Sequence, residues 1–197
     1  MKEKSTDKII IAGFPGIGKS ETSKIIPEIC IDAESSDFHW IWIEDADGNK
    51  KLNPEWPRNY IQYIKLLAYE TDGLNDYKDL LYICISTHSE VLNYLRNNHI
   101  PFIIVVPEDK EETIERYRKR GNTDEFIQKL DENWDEWMKG FESYDMPIIR
   151  LSDSMYLSDL LDRISSYKYL KSKITDVNKR ILSVENDPNL PYVDGEG

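Results

Sequence analysis

The sequence predicts an α/β protein in three layers, with helices on both faces of a five-stranded parallel sheet. Two observations carry this expectation: short, nearly continuous apolar runs alternate with longer segments of helical period, and the first run leads through a glycine-rich loop into the first helical segment. Continuous apolar runs mark strands buried on both faces, and parallel neighbours need crossover helices to cover them.

The strands are expected at Lys8–Ala12, Ile29–Ala33, Asp79–Ser86, Pro101–Val106 and Pro147–Leu151. Between the second and third, Asn53-Pro54-Glu55 reads as an N-cap and first turn, with Pro57 as the alternative start, ahead of Tyr60, Ile61, Ile64, Leu67 and Ala68 at helical spacing. Thr87 and Glu90 have the capping-box spacing before Val91, Tyr94 and Leu95. Asp109 to Arg120 reads as a charged helix ended by Gly121. Asn122 or Thr123 then caps another, with Ile127, Leu130, Trp134, Trp137 and Phe141 as its apolar stripe. A last helix is expected from Leu157, continuing through Leu170, Ile174, Val177 and Ile181, before an aperiodic end from Asn186. Phe38 to Ile43, followed by Asp45-Ala-Asp-Gly-Asn and Lys50-Lys-Leu, reads as a hairpin or an ordered loop. The Asp45/Asp47/Asn49 spacing is not a calcium loop, because Gly48 is misplaced and no glutamate stands at the twelfth position.

The chain has 197 residues and a formal charge of -12, from 25 Lys+Arg against 37 Asp+Glu. That mean field repels nucleic-acid phosphates and anionic lipid, so no nucleic acid and no membrane is expected as a partner. Two cysteines, Cys30 and Cys84, lie inside apolar runs and are too few for a disulfide scaffold. No apolar stretch has the length of a membrane span or a secretory leader. A cytoplasmic monomer or homodimer is expected, with one main domain over 1–167 and a C-terminal helical extension and flexible tail over 168–197.

The sharpest motif is Gly13-Phe-Pro-Gly-Ile-Gly-Lys-Ser20, a full match to G-x-x-x-x-G-K-[ST] between a strand and a helix. Backbone N–H groups of such a loop form a nest for phosphate oxygens, and its glycines allow close approach and positive φ. Gly13, Phe14, Pro15, Gly16, Ile17, Gly18, Lys19, Ser20 and Glu21 are therefore the expected nucleotide-binding residues. Lys19 would reach the β/γ phosphates and Ser20 the bridging magnesium ion.

On this loop, together with Asp32-Ala-Glu-Ser-Ser-Asp37-Phe, Trp56-Pro-Arg-Asn-Tyr60, Ser86-Thr-His88 and Arg116-Tyr-Arg-Lys-Arg-Gly-Asn122, the chain resembles the P-loop nucleoside monophosphate kinases. In particular it resembles the small adenylate-kinase-like P-loop proteins of bacteriophages and their hosts. The resemblance spans about Lys8 to Ile164. It implies a sheet ordered 2-3-1-4-5, ATP as donor, Mg²⁺, a lid helix at about 109–121, and γ-phosphoryl transfer to a nucleotide or similar small acceptor.

Asp32, at the end of the second strand, is the candidate to hold magnesium through water, and Asp37 to orient the acceptor. Arg116 and Arg120 are four apart on one helix face and could close over the transferring phosphate, with Arg118 turned away. Trp56, Arg58 and Tyr60 form the candidate acceptor pocket, an aromatic face beside a cation. Thr87 and His88 end the third strand, where P-loop enzymes often place an acid; none stands there. The alternative function is a P-loop ATPase or GTPase acting as a switch or through a protein partner, and a third is a nucleotide-binding protein without turnover.

Overall fold

In the computed structural model, residue 6 and residues 8–43, 49–71, 74, 77–152 and 155–163 are described. The loop at Asp45–Gly48, the expected helical continuation through Leu170 to Ile181 and the 168–197 extension lie outside them. The described elements run β1 (Ile9–Gly13), α1 (Lys19–Ile25), β2 (Cys30–Asp32), α2 (Ser36–His39), β3 (Trp40–Trp42), β4 (Lys50–Leu52), α3 (Arg58–Tyr69), β5 (Tyr82–Ile85), α4 (Ser89–Asn97), β6 (Phe102–Pro107), α5 (Lys110–Lys119), α6 (Asp124–Glu142) and β7 (Ile148–Leu151). Residues 157–163 are also helical. Met1–Ser158 forms one compact unit, and the residues from Asp159 onward belong to a second.

Five strands form one parallel sheet in the order β2-β5-β1-β6-β7. Numbered along the whole chain, this differs from the expected 2-3-1-4-5, because β3 and β4 intervene and pair only with each other. The central strand shows why apolar continuity was needed: Ile10, Ile11 and Ala12 are all buried, as are Ile83, Cys84 and Ile85 beside them and Ile104, Val105 and Val106 on the other side. Two sides of every central strand face helices, so alternation of polar and apolar residues would have stranded polar groups in the core.

The third sheet strand starts later than expected, at Tyr82 instead of Asp79. Residues 77–79 form a turn, and the Leu81 and Tyr82 amides both donate to the Ile29 carbonyl as the chain enters the sheet. The expected capping box before α4 does not form. His88 is the N-cap, its backbone still extended at ψ 127°, and Glu90 is drawn away to accept from Trp56 Nε1 at 2.9 Å. Of the two starts expected for α3, the second is found: Pro57 is the N-cap, while Asn53 Oδ1 accepts from the Glu55 amide in a preceding turn. Thr123 caps α6, accepting from the Phe126 amide, and Asp109 caps α5 from the Glu112 amide at 2.7 Å. In the α6 stripe Met138 is buried where Trp137 was expected, and Trp137 stands half-exposed beside it.

Tyr60 is the strut that fixes the strand ends bordering the loop. Fully buried, its hydroxyl donates to the Ala33 carbonyl at 2.6 Å and accepts from the Ser86 amide at 3.1 Å. Those bonds tie the chain just past β2 to the chain just past β5, where neither backbone group has a ladder partner to satisfy it. Burial pushes the Tyr60 phenol above its ordinary range.

Candidate functional site

The Gly13–Ser20 loop crosses from β1 to α1 at the C-terminal edge of the sheet, where ligands of open α/β proteins bind. Two of its glycines are required by their surroundings. A Cβ at Gly13 would stand 2.8 Å from Lys19 Cδ, because the lysine stem folds back over the start of the loop. Gly16 has φ +81°, and a Cβ there would meet the Tyr117 hydroxyl at 2.7 Å. That hydroxyl is buried and has no hydrogen-bond partner among the described residues. Phe14 is buried against Trp134, Trp137 and Phe141 of α6, and the Ile17 carbonyl accepts from the Leu157 amide at 3.0 Å. The loop is therefore held from both sides while its glycine-rich surface stays open.

Lys19 Nζ donates to the Gly13 carbonyl at 2.9 Å and the Phe14 carbonyl at 3.3 Å, arching across the loop. Burial pulls its pKa below the usual lysine value, and the Asp32 carboxylate opposes that shift. Ser20 Oγ donates to Asp32 Oδ2 at 2.6 Å. Asp32 Oδ1 is buried and without a partner among the described residues, and burial raises the carboxyl above its usual pKa despite the serine bond. A hydroxyl and a carboxylate with a spare oxygen are a hard donor set, suited to Mg²⁺. Among the described residues no group of three acidic, histidine or cysteine side chains could cage a metal. An ion here would complete its shell with water and phosphate oxygens, as magnesium usually does.

These residues floor a cleft of about 1550 Å³. Of the expected nucleotide-binding residues, all but Ile17 border it. Arg116 and Arg120 border it as well, together with Lys119, while Arg118 is exposed outside it and near Glu115. Arg116 is held in place: its Nε and Nη2 donate to Glu112 Oε1 at 3.1 and 2.7 Å, and its guanidinium lies 5.0 Å from the Tyr156 ring centre. Tyr156 in turn lies within 3.4 Å of a Cβ position on Gly18. Thr87 and His88 reach the cleft from the end of β5. The His88 Nδ1 pairs with Ser86 Oγ at 2.7 Å, and burial lowers its pKa.

Four expected residues lie elsewhere. Asp37 is exposed on α2 and does not border the cleft. Trp56 packs its ring on His39 and Tyr60 and edge-on to His88, Tyr60 is the buried strut, and exposed Arg58 pairs with Glu55. Other residues border the cleft without having been singled out: Tyr156, Lys119, Asn93, Arg96 and Trp137. Trp137 was legible as part of the α6 stripe, but its half-turn toward the cleft was not. Lys119, Asn93 and Arg96 sit on ordinary helix faces, and Tyr156 just precedes the helix at 157–163, with neighbours far away in sequence. The lining carries seven lysines and arginines against five acids, a local excess of positive charge in an acidic chain.

No protein-family profile and no curated protein matches the chain. Among solved structures, an uncharacterised protein of Eubacterium ventriosum is similar at 14% identity and a TM-score of 0.41, over 82% of this chain and 97% of the other. A gluconokinase of Sinorhizobium meliloti is similar at 13% identity and a TM-score of 0.40, over 86% and 99%. At these values neither likeness bears on activity. Among the described residues no helix is long and apolar enough to cross a membrane.

Proposed function

We propose that the chain is an ATP-dependent phosphotransferase that moves the γ-phosphoryl group to a small acceptor, a nucleoside monophosphate. The observation that carries this reading is the triad at the cleft floor: Lys19 arched over the loop, and Ser20 bonded to an Asp32 whose second oxygen has no partner among the described residues. The loop amides and Lys19 would hold the β/γ phosphates. Ser20 and Asp32 would hold Mg²⁺, which when bound offsets phosphate charge. Arg116 and Arg120 border the same cleft and would neutralise charge that grows on the transferring group, the main catalytic task in phosphoryl transfer. Asp32 stands in for the acid missing after β5, reaching Ser20 from the neighbouring strand. An assay of ADP release across ribo- and deoxyribonucleoside monophosphates tests this: one acceptor should raise release well above background and appear as its diphosphate. ATP hydrolysis that ignores every acceptor and responds only to an added protein would favour the switch reading.

A further inference from the structure

The cleft has a wall beyond the residues that the proposed function assigns to the donor. Helix α4 buries Val91, Leu92 and Leu95, so its other face, with Asn93 and Arg96, borders the cleft. Helix α6 buries Ile127, Leu130, Trp134, Met138 and Phe141, and beside that stripe Trp137 and Gly140 border the same cleft.

Core packing accounts for one side of Trp137 and for no part of Gly140. Trp137 leans on Phe14 of the phosphate-binding loop, ring centres 6.0 Å apart, and leaves part of its surface to the cleft. Gly140 lies inside the last turn of α6, where glycine is a poor helix former. A Cβ there would meet nothing within 4 Å, so no protein neighbour demands its absence. What the missing side chain leaves is bare helix backbone one turn beyond an indole, room for a flat ring.

Arg96 is placed by its surroundings. Its Nη1 donates to the Ser143 carbonyl at 3.4 Å, its guanidinium lies 5.4 Å from the Tyr144 ring centre, and the Tyr144 hydroxyl donates to the Ser89 carbonyl at 3.4 Å. Ser89 and Arg96 stand about 10 Å apart along α4. Trp137, packed on Phe14, marks where this wall meets the loop, and Arg96 borders the same cleft.

We propose that this wall is the acceptor subsite and that it takes a purine nucleoside monophosphate, the base stacking on Trp137 over Gly140 while Asn93 and Arg96 hydrogen-bond its edge. An indole face is a general platform for a base, and guanidinium and amide side chains match the N7 edges of guanine and adenine. The proposal rests on the phosphotransferase reading. In the reaction an oxygen of the acceptor phosphate bonds to the γ-phosphorus of ATP as the bond from that phosphorus to the β–γ bridging oxygen breaks. The products are ADP and the acceptor diphosphate.

The test measures acceptor and ATP kinetics for AMP, GMP, CMP, UMP and base-free ribose 5-phosphate with the wild-type chain, Gly140→Ala, Gly140→Leu, Trp137→Phe and Trp137→Leu. Gly140→Ala should raise the purine monophosphate KM several-fold with ATP KM unchanged and the melting temperature equal or higher, a combination that a structural role would not give. Gly140→Leu and Trp137→Leu should each cost about tenfold or more, the order of a lost base–aromatic stack, while Trp137→Phe keeps most of the affinity. Purine-stimulated turnover with an unchanged acceptor KM in Gly140→Leu would overturn the subsite and leave the phosphotransferase reading intact. Quenching of wild-type fluorescence by GMP or AMP without ATP, lost in Trp137→Phe, reads the subsite independently of turnover. Its absence in the wild type would overturn the subsite, whereas quenching with no phosphorylated product would overturn the phosphotransferase reading alone.

Discussion

Two clusters in this molecule contain the same chemistry, aromatic rings beside an arginine, and the fold treats them in opposite ways. Trp56, Arg58 and Tyr60 lie within five residues of one another, yet none borders the cleft: the rings pack on His39, His88 and each other, with Trp56 half-buried like Trp137, and the arginine turns out to Glu55. Trp137 comes from α6, Tyr144 from the turn after it and Arg96 from α4, and all three border the cleft, with part of the indole left open. The difference teaches that residue types define what a cluster can bind, while packing partners decide whether it is free to do so. A ring whose faces are already covered has little dispersion left to offer a ligand.

The largest expected effect tests the cleft floor, in the cleft that the Trp137 cluster borders and the Trp56 cluster does not. Lys19→Ala should lower ATP turnover by about a hundredfold or more, the order for removing one preorganised charge-stabilising contact, with the fold kept by circular dichroism. An unchanged rate would remove the loop from the mechanism.

Next in size is the closed cluster's structural role. Tyr60→Phe leaves the Ser86 amide and the Ala33 carbonyl without their buried partner, and should destabilise the chain by about 1–3 kcal/mol in denaturant unfolding. A variant as stable as the parent would mean that Tyr60 is not the strut described.

Asp32 gives a pH-dependent prediction. Burial raises its folded-state pKa, so the folded chain binds that proton more tightly than the unfolded chain. Stability from this group is therefore present at low pH and falls as pH rises from the unfolded carboxylate value through the raised one. Asp32→Asn should melt higher at neutral pH, on the order of 2 °C, with the gain fading below about pH 4, and should lose magnesium-dependent turnover. A lower melting temperature at pH 7 would show that the Ser20 bond outweighs desolvation.

The smallest effect sharpens the comparison most directly. Arg58→Ala removes an exposed pair with Glu55 and should change stability and acceptor KM by about 0.5 kcal/mol or less. A several-fold rise in acceptor KM would instead return the Trp56 segment to the site.

The sequence by itself determined the parallel α/β architecture, since five apolar runs separated by helical periods admit few other layouts, and it determined the loop, since Gly13, Gly16, Lys19 and Ser20 are local requirements of local geometry. It also placed Arg116 and Arg120 on one face, because helical spacing is a property of neighbours in the chain. Tertiary structure alone closed the hydrogen bond from Ser20 to Asp32 across twelve residues of sequence. It alone turned Glu90 from a helix cap into the acceptor for Trp56, buried Tyr60 as a strut and left Trp137 half open. The physical reason is range. Caps, periods and glycine-rich turns are set by contacts a few residues apart, whereas the fate of an aromatic ring or a carboxylate depends on which distant side chains reach it first.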